Sequence, residues 1–313
     1  MKVFIQVPCL NEETTLPLVF ETMPKTLPGV DQVEWLIIDD GSTDKTVEVA
    51  KNLGVKHIVR HQRNMGLARS FRDGVDYALS HGADIVVNTD GDNQYPQERI
   101  ADLVQPIIDG RADIVIGDRQ TSKIAHFSPF KKLMQRFGSW VVNQAAGTDL
   151  PDAASGFRAY SKGSLMKLNI VTSFSYCMET IIQAGNKRLR IESVPIETNE
   201  VTRKSRLFKN IWQHMSKSGQ AIMRSYLIFK PHVVFVTIGT IFLVAGLVPF
   251  VRYAVLVYQG EAGGHLQSLM FGTAMIVGAL LSFALLVIAD LQKTNRILLE
   301  DQLERIKEIQ YKK

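Results

Sequence analysis

Two aspartates, Asp90 and Asp92, stand two positions apart directly after the apolar run Ile85–Val87. Carboxylates placed this close, with no basic neighbour in sequence, repel each other and would raise the pKa of one of them. A hard divalent cation removes that repulsion. A site with few protein carboxylates suits Mg²⁺ or Mn²⁺, whose remaining ligands are diphosphate oxygens and water. The spacing therefore predicts a site for a metal-bound diphosphate.

Polar turns also follow two earlier apolar runs, at Pro8–Glu13 and at Asp39–Asp44. Helix capping is the alternative role for four of their residues, Asn11, Ser42, Thr43 and Asp44. The carboxyl ends of parallel strands meet at one edge of a sheet, where ligands bind in open α/β folds. Three polar turns at one edge favour a binding site over capping alone.

The elements that position these turns follow from the apolar periodicity. Short apolar runs predict strands at Val3–Val7, Trp35–Ile38, His57–Val59, Ile85–Val87, Ile114–Ile116 and Arg190–Ile196. The intervening segments predict helices around residues 12–23, 44–53, 67–79 and 96–108. Because strands and helices alternate, the pattern predicts an α/β fold with a parallel sheet.

Composition and charge exclude several classes of protein. The chain has 313 residues, 46% hydrophobic and 21% charged, which is too apolar for a disordered protein. The first 200 residues carry 22 Lys and Arg against 25 Asp and Glu, whereas residues 201–313 carry 14 against 6, so the basic excess lies in the last third. Two distant cysteines, Cys9 and Cys177, disfavour a disulfide framework or structural zinc and indicate a reducing compartment.

Two uncharged stretches, residues 233–251 and 266–289, are long enough to cross a hydrocarbon core of about 30 Å. A buried helical hairpin in a soluble protein is the alternative. Lys and Arg cluster before the first stretch and after the second, so the positive-inside rule predicts both termini in the cytoplasm. The apolar run at the start of the chain is too short for a signal peptide. We therefore expect a multi-pass protein of the cell (inner) membrane with a cytoplasmic catalytic domain.

The segment before the first span, residues 201–232, is basic and amphipathic. Such a segment is typical of an interfacial membrane helix, although part of its apolar stripe could instead pack on the globular domain. Nucleic-acid binding is disfavoured because the charges immediately precede a span and no nucleic-acid motif accompanies them. The final residues, 290–313, predict a cytoplasmic helical tail with a homo-oligomer contact as one role.

The combination of Asp-Asp-Gly-Ser-Thr-Asp at 39–44 with Asp-Gly-Asp-Asn-Gln at 90–94 resembles the family-2 glycosyltransferases of GT-A fold. The basic segment and the two spans resemble the polyprenyl-phosphate branch of that family. The likeness implies a Rossmann-like GT-A catalytic domain at residues 1–200, a juxtamembrane segment at 201–232, a transmembrane hairpin at 233–289 and a tail at 290–313.

The resemblance also implies roles for the acidic turns. Nucleotide-binding residues would be Pro8, Leu10, Asn11, Glu12, Asp39, Asp40 and Asp90. Metal-binding residues for Mg²⁺ or Mn²⁺ would be Asp90, Asp92 and Gln94, with Asp92 also counted as catalytic.

Three further residues are implied to be catalytic, namely Asp152, Arg119 and Arg158, since Gly117–Arg119 and Asp152–Arg158 match family segments. Either arginine could grip a phosphate. The alternatives are a surface salt bridge of Arg119 with Asp118 or Asp113, and a structural pair of Arg158 with Asp152. The acceptor phosphate would meet basic residues at Arg203, Arg206, Lys132 and Arg136.

The reaction implied is inverting transfer of a sugar from a UDP- or GDP-linked donor to a polyprenyl phosphate such as undecaprenyl or dolichyl phosphate. A lipid phosphate is already an anion, so this reaction needs no strong general base. A related enzyme acting on a hydroxyl of a glycerolipid or polysaccharide would need one. A non-catalytic membrane adaptor that binds nucleotide sugars is the alternative outside enzymes.

Overall fold

A computed structural model of the protein describes residues 1–121, 129–171, 176–199, 220, 223, 227, 230–260, 263–264 and 266–311, with only the backbone described for 129–131. The chain divides into two compact units. One unit comprises Met1–Gly219 together with Glu300–Lys313, and the other comprises Gln220–Leu299. Residues Glu300–Lys313, part of the cytoplasmic helical tail predicted for 290–313, group with the first unit.

The first unit contains a seven-stranded sheet in the order β3-β2-β1-β4-β6-β5-β7. Its strands are β1 (Lys2–Cys9), β2 (Gln32–Asp39), β3 (His57–Arg60), β4 (Ile85–Asn88), β5 (Ile114–Asp118), β6 (Arg158–Ser161) and β7 (Ile191–Pro195). Strand β6 runs antiparallel to both β4 and β5, and the other pairs are parallel. The sheet is therefore mixed, and the expectation of a wholly parallel sheet was wrong at β6.

Seven α-helices lie wholly within the described part of this unit. They are α1 (Leu16–Glu21), α2 (Thr46–Asn52), α3 (Leu67–Ser80), α4 (Ile100–Ile108), α5 (Pro129–Ala146), α6 (Lys162–Lys167) and α7 (Tyr176–Asn186). All four residues of β4 are buried, as expected of a central strand covered on both faces. Burial on both faces explains why the sequence of this strand begins with three consecutive apolar residues. The core joins β1, β4 and β5 to the apolar face of α4, where Ile100 and Leu103 are fully buried.

The strand register aligns the polar turns. Cys9 at the end of β1 pairs with Asp39 at the end of β2, and Gln6 of β1 pairs with Asn88 at the end of β4. The turns after β1, β2 and β4 therefore leave the sheet at one edge, the place where open α/β sheets bind ligands.

The second unit contains a helical hairpin. Helix α8 (Pro231–Tyr258) and helix α9 (Leu266–Gln310, which continues into the first unit) are long and apolar enough to cross a membrane. Only 11% of the apolar window of each helix is buried, whereas a core helix of a soluble protein would be mostly buried. The exposure favours membrane spans over a buried soluble hairpin.

Small residues allow the two helices of this hairpin to approach closely. A Cβ atom at Gly246 would lie 2.9 Å from the carbonyl oxygen of Gly272, and one at Gly239 would lie 2.7 Å from the Phe283 ring. Ser282 Oγ donates a hydrogen bond of 2.9 Å to the Phe235 carbonyl on the facing helix. Such packing of small residues and interhelical hydrogen bonds is typical of helices that associate in lipid.

Candidate active site

The turns after β1 and β2 are joined by hydrogen bonds between them. The backbone N–H of Asn11 donates to Ser42 Oγ (2.9 Å), and the N–H of Thr43 donates to Asn11 Oδ1 (2.8 Å). The N–H of Glu12 donates to Thr46 Oγ1 (2.8 Å). Asn11 adopts a positive φ of 57°, a conformation that Asn tolerates better than most residues. Asn11, Ser42 and Thr43 thus hold one turn to the other. Asp44 accepts from the backbone N–H of Thr46 (3.0 Å) at the start of α2, which corresponds to the helix capping considered as the alternative.

The two aspartates at the end of β2 face different partners. Asp39 is fully buried, accepts from the N–H of Ser42 (3.0 Å) and has Arg60 Nε 3.2 Å from its Oδ2. Asp40 accepts from the N–H groups of Met65 (2.8 Å) and Gly66 (2.9 Å). Asp40 therefore fixes the segment that follows β3, which the sequence analysis did not connect with the site.

His61 is part of the same arrangement. Its Nδ1 lies 2.8 Å from Asp40 Oδ1 and its Nε2 lies 3.2 Å from Asp73 Oδ2, so the imidazole bridges two carboxylates. A Cβ at Gly41 would lie 2.6 Å from the Arg63 carbonyl carbon, and Gly41 has a φ of 78°. A side chain at position 41 would force this segment away from the turn after β2.

The turn after β4 lies against the end of β1. A Cβ at Gly91 would meet Cys9 Sγ at 3.1 Å and Glu12 Cγ at 3.3 Å, so Asp90 and Asp92 flank a close contact with the first turn. Gln94 donates to Asp92 twice, through its backbone N–H (3.2 Å) and its side-chain Nε2 (2.8 Å). The three residues expected to bind a metal are thus on one short turn, with the Gln94 side chain already oriented by Asp92.

Asp90 lies beside the loop that precedes β6. A Cβ at Gly156 would come within 3.3 Å of Asp90 Oδ2 and 3.4 Å of the Tyr176 hydroxyl. The Gly156 N–H donates to the Tyr95 hydroxyl (3.0 Å), and Asn88 Nδ2 donates to the Gly156 carbonyl (3.0 Å). Gly156 is therefore held on both sides of its backbone, and the absence of a side chain leaves room for the aspartate.

Asn88 and Tyr176 form a buried polar network below this loop. Asn88 Nδ2 also donates to the Tyr176 hydroxyl (2.7 Å), which donates in turn to the Gly156 carbonyl (3.2 Å). Gln6 Nε2 on β1 donates to Asn88 Oδ1 (3.0 Å). Sequence analysis missed the two amide residues of this network, Gln6 and Asn88. The one available signal was an amide inside each of two apolar central strands, where a polar side chain needs a partner.

Arg119 and Asp152 form a bidentate pair. Arg119 Nε and Nη2 donate to Asp152 Oδ2 (2.6 Å) and Oδ1 (2.9 Å), and the Asp152 side chain is 3% exposed. Burial opposes ionisation of Asp152, but the hydrogen bonds and charge of Arg119 lower the pKa of its carboxyl below the ordinary value. Neither alternative partner suggested by the sequence, Asp118 or Asp113, is the residue that Arg119 contacts here.

The partners of Arg158 differ from those that the sequence predicted. Its guanidinium is fully buried and donates to the carbonyls of Ser155 (2.6 Å), Cys177 (2.9 Å) and Ala153 (3.0 Å) and to Thr180 Oγ1 (2.9 Å). A phosphate could replace these acceptors only if the loop before β6 came away from α7. The geometry corresponds to a structural role with backbone partners, and not to the predicted grip on phosphate or a pair with Asp152.

The residues expected at the acceptor phosphate are only partly described. Lys132 is half-buried and Arg136 exposed, both on α5, while Arg203 and Arg206 lie outside the described residues.

Burial and the negative charges of Glu12, Asp39 and Asp90 raise the pKa of the Cys9 thiol well above its ordinary value. The thiol next to the site is therefore protonated and a poor nucleophile.

The chain is similar in sequence to known glycosyltransferases. The chain is 29% identical over 217 residues to the UDP-N-acetylglucosamine--dolichyl-phosphate N-acetylglucosaminyltransferase of Methanococcus voltae, a match covering 63% of this chain and 85% of the relative. It is 28% identical to the undecaprenyl-phosphate mannosyltransferase of Micrococcus luteus, covering 63% of this chain and 83% of that protein.

Solved structures identify the fold. Glucosyl-3-phosphoglycerate synthase from Mycobacterium tuberculosis, crystallised with Mn²⁺, UDP-glucose and phosphoglyceric acid, superposes with a TM-score of 0.56 at 20% identity, covering 72% of this chain and 78% of that one. The mixed sheet is thus a GT-A fold. The model of the family described as "Glycosyl transferase family 2" matches residues 4–168, more than half of the chain. The protein accordingly belongs to glycosyltransferase family 2.

Proposed function

We propose that the protein transfers a sugar from a nucleotide diphosphate sugar to a polyprenyl phosphate at a membrane, with inversion at the anomeric carbon. The observation that carries the proposal is the meeting of three loops at one sheet edge. The Asp90–Asp92 turn touches the end of β1 at Gly91 and the loop before β6 at Gly156. The activities for which the relatives from Methanococcus voltae and Micrococcus luteus are named support the lipid phosphate acceptor.

The donor side is formed by the joined turns after β1 and β2. The nucleoside would lie against residues of these two turns and of the turn after β4, which are Pro8, Leu10, Asn11, Glu12, Asp39, Asp40 and Asp90. Hydrogen bonds between the turns hold this surface before any ligand arrives, which reduces the ordering cost of binding. The base is uridine or guanosine in this proposal.

The residues present fit a divalent cation. Asp90 and Asp92 offer hard carboxylate oxygens, and the glycine at 156 leaves beside Asp90 a space that a Cβ would fill. The described residues contain no cluster of three or more His, Cys, Asp or Glu that could hold a metal ion, so diphosphate and water would complete the shell. Asp90, Asp92 and Gln94 would hold Mg²⁺ or Mn²⁺. A bound cation would neutralise charge on the departing diphosphate.

In this reaction no residue of the protein forms a covalent bond with the sugar. The lipid phosphate oxygen attacks the anomeric carbon, the bond from that carbon to the diphosphate oxygen breaks, and the electron pair leaves with the nucleoside diphosphate. No proton has to be removed from the acceptor. The Nε–Nη2 edge of Arg119 is occupied by Asp152, so Arg119 orients this carboxylate toward the sugar side of the site.

The state of Asp152 favours the phosphate acceptor over a hydroxyl acceptor. A hydroxyl needs a general base whose pKa is near the working pH. Arg119 lowers the pKa of Asp152 and binds both of its oxygens, which makes this carboxylate a poor base. We therefore rank transfer to a glycerolipid or polysaccharide hydroxyl second.

The membrane location is part of the proposal. Two candidate spans, α8 and α9, follow a basic segment that contains Arg203 and Arg206. Basic residues on both sides of the hairpin favour a cytoplasmic catalytic unit and cytoplasmic termini in the cell membrane. Arg203, Arg206, Lys132 and Arg136 remain our candidates for the acceptor phosphate, and a homo-oligomer remains a prediction.

A transfer assay tests the function. The full chain is purified in detergent and incubated with Mg²⁺ or Mn²⁺, a panel of UDP- and GDP-sugars, and undecaprenyl or dolichyl phosphate. We expect an acid-labile sugar phospholipid, and we expect Asp92→Asn to lower its rate by at least about 100-fold while the protein stays folded. Failure to form product from any donor would overturn the proposal.

Parallel reactions separate the alternatives. Product from diacylglycerol or an oligosaccharide, and none from lipid phosphate, would support the hydroxyl-acceptor enzyme. Donor binding without any product would support the adaptor. An unchanged rate for Asp92→Asn would contradict the role given to the Asp90–Asp92 turn.

A further inference from the structure

The end of helix α9 packs on the catalytic unit. Residues from Glu300 onward group with this unit, and the Tyr311 side chain is only 6% exposed. Glu300 lies 2.9 Å from Lys187 Nζ. The hydrogen-bonding partners of Lys307 and Tyr311 lie on α3, at the start of α6 and on the segment between α6 and α7. We call residues 300–311 the docked tail.

Lys307 binds the segment that follows α6. Its Nζ donates to the Leu168 carbonyl (2.8 Å) and to Asn169 Oδ1 (2.9 Å), with the Met166 carbonyl at 3.4 Å. The ammonium thus binds carbonyl oxygens at the C-terminal end of α6, where the helix dipole favours cations. Lys307 thus fixes the chain directly after α6.

Tyr311 binds helix α3 and the start of α6. Its hydroxyl donates to Asp76 Oδ1 (3.3 Å), and its backbone carbonyl accepts from Lys162 Nζ (3.1 Å). The docked tail therefore contacts both α3 and α6 through charged or polar partners that are far away in sequence. Contacts this specific indicate an element with a defined position.

A cavity of about 250 Å³ lies where the docked tail meets the unit, with Leu303 and Lys307 on one side and Phe71 and Val75 on the other. Phe71 is 1% exposed and stacks on Tyr176, with ring centroids 4.0 Å apart and planes at 11°. Removing the docked tail would expose this side of the cavity to water and loosen the stacking of Phe71 on Tyr176.

Tyr176 connects this packing to the site. Its hydroxyl donates to the carbonyl of Gly156, the residue that leaves space for Asp90. Glu179, one turn further along α7, accepts from the N–H of Val171 (3.2 Å) in the segment that Lys307 fixes. Packing and hydrogen bonds thus run without a break from the docked tail to the loop that borders the catalytic aspartates.

We propose that the docked tail positions the loop before β6 for sugar transfer, with Lys307 and Tyr311 as positioning residues. The inference rests on the proposed function, since it assigns the tail to the sugar side of that site. The Asp90–Asp92 turn keeps its own contacts with β1 when the tail leaves. Loss of the tail contacts therefore lowers kcat more than it weakens donor binding.

The test compares Lys307→Met and Tyr311→Phe with Arg305→Met in the full-length protein. The first two remove tail contacts and keep most side-chain volume, whereas Arg305 is exposed and pairs within the tail with Asp301. We expect kcat to fall about five- to tenfold in Lys307→Met, with donor Kd changed less than about twofold. Arg305→Met keeps the wild-type rate, and Lys307→Arg, which can still donate to the same carbonyls, recovers part of it.

Hydrogen exchange supplies a readout that does not need activity. In Lys307→Met, peptides covering 152–157 should exchange faster, because the Gly156 carbonyl loses its fixed hydrogen bond from the Tyr176 hydroxyl and the loop opens more often. Peptides of 300–311 should also exchange faster. Faster exchange in 300–311 with unchanged exchange in 152–157 and unchanged kcat overturns the positioning role. If the wild-type protein formed no lipid-linked sugar, the proposed function would fail while the exchange result would still decide whether the tail supports this loop.

Discussion

Gly156 leaves little room for a side chain beside Asp90. Asp90 and the Tyr176 hydroxyl both lie within 3.5 Å of the position that a Cβ would occupy. Contacts of 3.3–3.4 Å are tight but not impossible, so a small side chain should disturb the aspartate without unfolding the loop.

We predict that Gly156→Ala lowers kcat/KM about tenfold and the free energy of unfolding by about 1 kcal/mol, because the added methyl pushes on Asp90. Gly163→Ala is the matched control, since a Cβ there meets nothing within 4 Å and position 163 lies in helix α6. The control should keep full activity and gain up to about 1 kcal/mol from helix propensity. Steady-state kinetics and thermal unfolding measure both, and equal activity of the two variants would contradict the crowding at position 156.

The Arg119–Asp152 pair should leave a signature in the pH dependence of stability. The folded-state pKa of Asp152 is lowered, so its contribution is present above the unfolded pKa of about 3.9 and is lost as the pH falls through the lower folded value. We predict that Asp152→Asn costs about 3–5 kcal/mol at neutral pH, because Arg119 is left buried without its partner. The gap between wild type and variant should shrink only below about pH 4, as followed by thermal unfolding from pH 3 to 7. A gap that closes between pH 6 and 5 would point to another group.

The part of the site that lies in short polar turns could be predicted from sequence. Asp90, Asp92 and Asp40 follow apolar runs, and the confirmed fold puts the ends of those runs at one edge. The pairing of Arg119 with Asp152 could not be predicted, because it joins residues 33 positions apart through a loop whose path only the folded chain defines.

At the scale of elements, strand β6 explains why the sheet is mixed. It has four residues and follows a loop of small residues, so its sequence carries no alternation long enough to predict a strand or its direction. Arg158, the first residue of β6, ties the preceding loop to α7 through buried carbonyls. Matching this segment to the family segment on the sugar and acceptor side gave the position of Arg158 but not the direction of its side chain, which here points to backbone carbonyls.

We predict that Arg158→Lys lowers the free energy of unfolding by at least about 3 kcal/mol, because one ammonium cannot reach four acceptors on different sides of a planar fork. Arg111→Lys is the control, since that guanidinium is exposed and should change stability by less than about 0.5 kcal/mol. Thermal unfolding of the purified proteins distinguishes them. Unchanged stability of Arg158→Lys with weakened donor binding would instead restore the phosphate-binding role.

At the scale of the whole molecule, the hairpin depends on glycines that face the other helix. A Cβ at Gly246 would lie 2.8 Å from Ile276 Cγ1 and 3.0 Å from the Ile276 nitrogen, both on α9. Neither helix can retreat without losing the contacts made by neighbouring glycines, so a larger residue at this position must separate the pair.

We predict that Gly246→Leu lowers the apparent melting temperature in detergent by several degrees, about what a loss of 1–3 kcal/mol gives. Val244→Leu is the control, because this side chain is exposed on the outside of the hairpin and should tolerate the change. Both variants keep the length of the span and add no charge. Equal melting temperatures would argue against close helix packing at Gly246.

The position of the docked tail has a consequence for biosynthesis. Residues 300–311 leave the ribosome after α8 and the apolar part of α9, yet Leu303 and Lys307 line the cavity beside α3. The nascent catalytic unit therefore stays open at this cavity until the hairpin has been made. If the docked tail positions the loop before β6 as proposed, a chain truncated within the hairpin should transfer sugar more slowly than the full chain.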